Sequence, residues 1–223
     1  MKKEKQVEEE KKYATPFRQK GGIYMHRGVI INKKNVFVTK EYADLLVNAM
    51  KMAELKKDIK NLAYVVMPNY FLWMFRLNEK QDNPSEIYGQ VKKEVSLEML
   101  NYLKEEKANG SFELMDIFKD NKRVGRSSPD RILWTFEEQA KNYEDCKRYK
   151  IWTPKSGVWP INDDKALQDG LDSIKKAPVS ERWQFVEKAE DYPYLYVCDE
   201  LEEDEVLLKN IANFALTKQL AAA

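Results

Sequence analysis

The stretch from Leu62 to Phe75 constrains this chain more than any other: Leu-Ala-Tyr-Val-Val-Met-Pro-Asn-Tyr-Phe-Leu-Trp-Met-Phe. Its β-branched and aromatic residues fit a pleated, packed surface, and a proline in the middle would interrupt any helix. The sequence therefore predicts a central strand with a kink or bulge at the Pro68-Asn69 step.

The flanking segments read as a cover for that strand. Gly21-Gly22 admits a turn before Ile23-Tyr24-Met25, the start of a first strand. Asn32-Lys33-Lys34-Asn35 separates two apolar runs, Val29–Ile31 and Val36–Val38. Thr39 is the expected N-cap of a helix from Lys40 to near Lys60, with Leu45, Leu46, Ala49, Met50, Met52, Ala53 and Leu55 on a broad core-facing stripe. Beyond the turn cluster Gln81–Pro84, Ser85 is expected to cap a helix reaching to near Lys107, with Ile87, Val91, Val95, Leu100 and Leu103 inward. Its outer side mixes lysine and glutamate, the pattern of a solvated face. Asn109-Gly110 ends it, a short helix over Phe112–Phe118 follows, and Lys119–Arg126 is the most basic loop of the chain. Ser128-Pro129 starts a helix expected to reach Tyr149. Asn162-Asp163-Asp164 caps another through Lys176, stopped by Ala177-Pro178-Val179. Strand, helix, strand, with the second strand beside the first, is consistent with an α+β plan.

Charge is balanced over the whole chain, at net +1, yet unevenly placed. Residues 1–40 hold eleven Lys/Arg against four Glu, and residues 186–205 hold nine Asp/Glu against Lys188 alone. The first twelve residues read as a solvated leader or as a basic arm for phosphates. Cys146 and Cys198 lie far apart without metal-ligand spacing and read as reduced thiols. No apolar run approaches the roughly 20 residues that cross a bilayer, so a cytoplasmic protein is expected. His26 is the only histidine, so no His–His metal site can form within one chain, and its place beside Met25 suits a structural role.

Three parts of the chain carry a resemblance. Leu62-Ala-Tyr-Val-Val-Met-Pro-Asn69 with its following alternation, and Tyr149 to Val179 followed by Glu190-Asp-Tyr-Pro-Tyr-Leu-Tyr196, resemble the REP-associated tyrosine transposases, single-tyrosine enzymes of the HUH type. Gly21-Gly-Ile-Tyr24 with Ile31-Asn-Lys-Lys-Asn-Val-Phe-Val38 resembles the family's opening strand and turn, with His26 and Arg27-Gly28 slightly out of register. The resemblance implies a ferredoxin-like antiparallel sheet with packed helices over residues 21–197. A charged leader (1–20) precedes it, and an acidic segment with a C-terminal helix (198–223) follows. The family places histidine-x-histidine after the proline and one further residue. This chain has Tyr70 and Leu72 there. Anchoring on Pro178-Val179 puts Ser173 at the family's nucleophilic tyrosine, Lys175 at its histidine and Ala177 at its metal-ligating asparagine. Leucine and alanine offer a metal no lone pair, and loss of a nucleophile that acts as a unit with its partners typically costs on the order of 10⁴–10⁶ in rate.

The resemblance therefore implies a transposase-like chain without the family's catalysis, metal or cofactor, retaining nucleic-acid binding. Single-stranded or hairpin DNA is the first candidate and RNA the second. Lys2, Lys3, Lys33, Lys34, Lys122, Arg123 and Arg126 are candidate phosphate contacts, and Trp152 and Trp159 candidate base platforms. The Lys119–Arg126 composition suits an ordinary loop equally well. Two alternatives stay open. One is a protein-interaction or structural subunit, in which Val206–Leu220 packs on a partner, on a second copy or on its own domain. The other is an active DNA-nicking enzyme whose register is misread, with Ser173, Tyr143 or Tyr149 as nucleophile.

Overall fold

The structure, a computed structural model, describes residues 20–57, 59–80, 83–110, 124–144, 148–154 and 157–202. The leader with Lys2 and Lys3, the expected helix at 112–118, Lys122, Arg123, Cys146 and the segment 206–220 lie outside the described residues.

The expected single strand is two strands. Strand β1 (Ile23–Val29) is followed by helix α1 (Lys40–Lys57), and then β2 (Ile59–Met67) and β3 (Tyr70–Leu77) form a hairpin whose two-residue turn is Pro68-Asn69. Proline supplies no amide hydrogen and suits a turn better than a ladder. The turn is anchored from outside: Val36 and Phe37 amides donate to the Pro68 carbonyl at 2.8 and 3.0 Å, and the Ile30 amide donates to the Asn69 carbonyl at 2.9 Å. The side-chain amide of Asn69 donates to the Lys33 carbonyl and to Asn35 Oδ1. The ladder's irregularity falls at Asn61/Ala63 instead, where buried Asn61 accepts from Trp73 Nε1 at 2.8 Å and donates to the Met50 carbonyl.

Helix α2 (Pro84–Asn109) starts at an Asn83 cap, two residues earlier than the Ser85 expected, because the Asn83 side chain accepts from the Glu86 amide. It ends at Gly110, whose φ of 61° is the left-handed conformation that glycine adopts without strain. Helix α3 (Pro129–Ala140) is shorter than expected, ending nine residues before Tyr149. Strand β4 (Val158–Ile161), helix α4 (Asp164–Val179) and strand β5 (Leu195–Val197) complete the sheet, and the described chain closes with a helical turn at Asp199–Glu202. Asp163 caps α4 by accepting from the Ala166 amide.

All pairings are antiparallel and the order is β4-β1-β3-β2-β5. This is the ferredoxin-like α+β plan with β5 added beyond β2. The second arm of the hairpin, β3, lies beside β1, while β2 does not touch it. Side chains alternate between two buried layers. One layer, with Tyr24, Tyr64, Phe71, Trp73 and Phe75, packs against α1, α2 and α3. The other, with Met25, Val65, Leu72 and Met74, packs against α4. Both faces of the central strands are covered, which is why Leu62–Phe75 is apolar or aromatic everywhere but the turn and not alternating. Gly28 sits opposite Phe71, and a Cβ there would lie 2.1 Å from the ring, so the pair packs only because the strand carries no side chain at that point.

Candidate nucleic-acid interface

The α4 layer brings three of the four substituted positions together. Tyr70 and Leu72 stand on one face of β3, two residues apart, and Ala177 faces them from the last turn of α4, within the same apolar cluster as Ile174, Trp183 and Tyr192. Leu72 and Ala177 are each 7% exposed. Ser173 is apart from them: it is exposed and its hydroxyl donates to the Asp169 carbonyl at 2.8 Å. Tyr143 and Tyr149 pack against the opposite layer, across the sheet from Leu72.

A divalent metal does not fit this donor set. Leu72 and Ala177 contribute no lone pair, and burial pushes the Tyr70 phenol up, against a hydrogen bond with Trp183 and the positive charges of Arg27 and Arg182, which pull it down. A protonated phenol is a poor metal ligand. Tyr192 is also held protonated, by burial first and by neighbouring Tyr70 and Tyr194, and its hydroxyl donates to the Val66 carbonyl at 2.8 Å.

What the edge of this cluster does hold is positive charge. The Arg27 guanidinium lies over the Tyr70 ring, 5.4 Å from its centroid, and Arg182 lies over Trp183 at 4.8 Å. Both arginines are exposed, and neither has a carboxylate within salt-bridge distance among the described residues. Trp159 is 40% exposed on β4 and pairs with Met25, two residues before Arg27, so it stands on the same sheet face as Arg27. Two cations thus stand beside Tyr70 at the edge of the α4-layer cluster, with an exposed indole on the same sheet face. Arg27 and Arg182 were not among the sequence candidates. They lie far apart in the chain, and only the packing of α4 on β1 and β3 joins them.

The other sequence candidates divide. Lys33 is exposed and Lys34 half-buried on the turn after β1, which the Asn69 side chain ties to the hairpin. Burial and the nearby charge of Arg131 pull the Lys34 ammonium below its usual range, so this corner is electropositive. Asn35 donates to the Gly125 carbonyl at 2.8 Å, which sets the end of the basic loop beside the same corner.

Arg126 and Trp152 are corrections. The Arg126 side chain is wholly buried and forms two bonds to Glu106, at 3.1 and 2.6 Å, while lying over the Tyr42 ring at 4.7 Å. A guanidinium already satisfied by a carboxylate inside the fold does not reach a phosphate. Trp152 is buried, donates from Nε1 to Ser96 Oγ at 2.8 Å, and packs against Phe37 and Phe71, so no base can stack on it.

His26 has the structural role expected of it. Its ring stacks on Tyr88, meets Phe71 edge-on, and is held through Nδ1 by the Gly157 carbonyl at 2.8 Å, which makes Nδ1 the protonated nitrogen. Burial, with the Lys92 charge nearby, lowers its pKa from 6.5 to about 3, so the ring is neutral. Cys198 is buried. No helix among the described residues is long and apolar enough to cross a membrane.

No protein-family model matches the sequence, and no curated protein matches it. Among solved structures, the chain is similar to a REP-associated tyrosine transposase bound to a REP hairpin. The TM-score is 0.50 and the sequence identity 18%, over 80% of this chain and 78% of that one. At that identity the likeness is one of fold, and the fold is the one implied by the residues around Leu62–Phe75 and Tyr149–Tyr196.

Proposed function

We propose that this protein is a cytoplasmic, transposase-like DNA-binding protein that has kept the fold and given up strand cleavage, with residues 21–197 as its binding domain. The observation that carries the reading is the contrast within the α4-layer cluster and at its edge. Leu72 and Ala177 fill the positions where the resemblance expects metal ligands, while Arg27 and Arg182 remain exposed at its rim. Such a surface can neutralise a phosphodiester but cannot polarise one for attack. The hairpin-bound state of the structural neighbour supports hairpin DNA as the ligand. Lys33 and Lys34 supply further phosphate contacts, and Trp159 a surface for an unpaired base.

The test is fluorescence anisotropy with labelled hairpin, single-stranded and duplex DNA, from about 50 to 200 mM salt, where phosphate-driven binding weakens steeply. The expected result is salt-sensitive binding with preference for the hairpin, no nicking with any of several divalent metals, and a salt slope shallower by about two in Arg27→Glu/Arg182→Glu. No binding by the wild type at micromolar protein, or metal-dependent nicking, overturns the reading.

A further inference from the structure

A second surface lies in the helical layer on the other side of the sheet. Helices α2 and α3, with the chain at 148–149, enclose an open cleft of about 530 Å³, within the range of small-ligand sites and ample for a nucleoside. Trp134 lines it and is 60% exposed, the most exposed aromatic side chain among the buried and exposed large hydrophobics of the described fold. An indole left in water on a helix that has a full apolar face elsewhere (Ile132, Leu133 and Phe136 are all buried) is not needed for packing.

Three cations share the cleft with it. Lys104 and Arg148 lie over the ring of Tyr149, at 5.7 and 5.1 Å, so that ring serves to hold charge in place and Trp134 is the free aromatic face. Lys107 reaches Asp130 at 2.7 Å and Arg148 reaches Glu137 at 3.5 Å. All four of these side chains are at least 41% exposed, so the pairs are weak and exchange readily for another anion. Lys104 has no carboxylate within salt-bridge distance among the described residues.

We propose that this cleft binds one unpaired nucleotide of single-stranded DNA, its base stacked on Trp134 and its flanking phosphates on Lys104, Lys107 and Arg148. A base has an apolar face for the indole, and its phosphates displace the weak carboxylate pairs; an uncharged aromatic ligand would leave the cations unused. The inference extends the DNA-binding reading to a second site, and is separable from it because Arg27 and Arg182 are on the opposite face of the sheet.

The experiment titrates the full chain, its Trp134→Ala and Lys104→Glu variants and Arg27→Glu/Arg182→Glu with two probes, a short oligothymidylate and a blunt hairpin without single-stranded ends. Tryptophan fluorescence and anisotropy are both read. Trp134 and Lys104 are outside the core, and thermal melts confirm that each variant is folded. The expected result is oligothymidylate binding that quenches wild-type fluorescence, weakens about fivefold or more in Trp134→Ala and weakens in Lys104→Glu, with hairpin affinity unchanged in both. Equal oligothymidylate affinity in wild type and Trp134→Ala, or no oligothymidylate binding by the wild type, overturns the inference. Absence of hairpin binding by the wild type with oligothymidylate binding intact retires the first reading alone and leaves this one standing.

Discussion

Lowering the pH from 7 to 5 should remove about 2 kcal/mol of folding stability, and nearly all of it through His26. The folded ring has a pKa of about 3 against an ordinary 6.5, so the folded state refuses a proton that the unfolded state takes up. The stability conferred by neutral burial is complete above pH 6.5 and is lost as pH falls from there towards 3. Each unit in that window costs about 1.4 kcal/mol, and the stretch from 6.5 to 5 accounts for the 2 kcal/mol. For a chain of this length the melting temperature should fall by about 4–8 °C. The assignment is clean because His26 is the only histidine, and ordinary carboxylates titrate below this window. The assay is urea unfolding at closely spaced pH values for the wild type and for His26→Asn, whose side-chain amide can still donate to the Gly157 carbonyl. The variant should be flat between pH 7 and 5. A flat wild-type profile, or the same slope in both proteins, refutes the neutral burial of this ring.

Two further outcomes follow from the site. Arg126→Ala should lower stability by about 3 kcal/mol, because it leaves the half-buried Glu106 carboxylate beside the Tyr42 hydroxyl without its cation. Its urea midpoint should drop while hairpin affinity of the folded protein stays the same; loss of affinity at unchanged stability would return Arg126 to the DNA surface. Tyr70→His/Leu72→His should create a pair of imidazoles two residues apart on one strand face, detected as a rise in melting temperature with cobalt or zinc that the wild type lacks. An equal rise in both proteins would place the metal elsewhere.

The sequence carried the architecture better than the surface. Leu62–Phe75 announced the centre of the sheet, since only a strand covered on both faces tolerates so long an apolar run. It concealed the hairpin, because a run without alternation gives no sign of reversing, and Pro68-Asn69 reads equally as a kink or a turn. Strand β5, three residues long beside Tyr192-Pro193-Tyr194, is too short for a periodic signal. The caps at Asp163 and Gly110 were readable from local chemistry, whereas Asn83 took the place expected of Ser85. Burial of charged and aromatic side chains was not readable at all. Arg126 has the composition of a phosphate contact and Trp152 that of a base platform, and only the distant partners Glu106 and Ser96 decide otherwise. The same holds in reverse for Arg27 and Arg182, which become a pair only when α4 is laid on the sheet.

The ends of the sheet limit how this protein can meet others of its kind. Among the described residues its two outermost strands are β4, four residues with Pro160 among them, and β5, three residues. Neither offers a run of free amides and carbonyls long enough to template another strand, and Pro160 has no amide hydrogen to offer. Among the described residues the sheet thus offers little for another strand to grow on, and the crowded, largely apolar hairpin at its centre is shielded from the strand-by-strand stacking that such a sequence would favour in an unfolded chain.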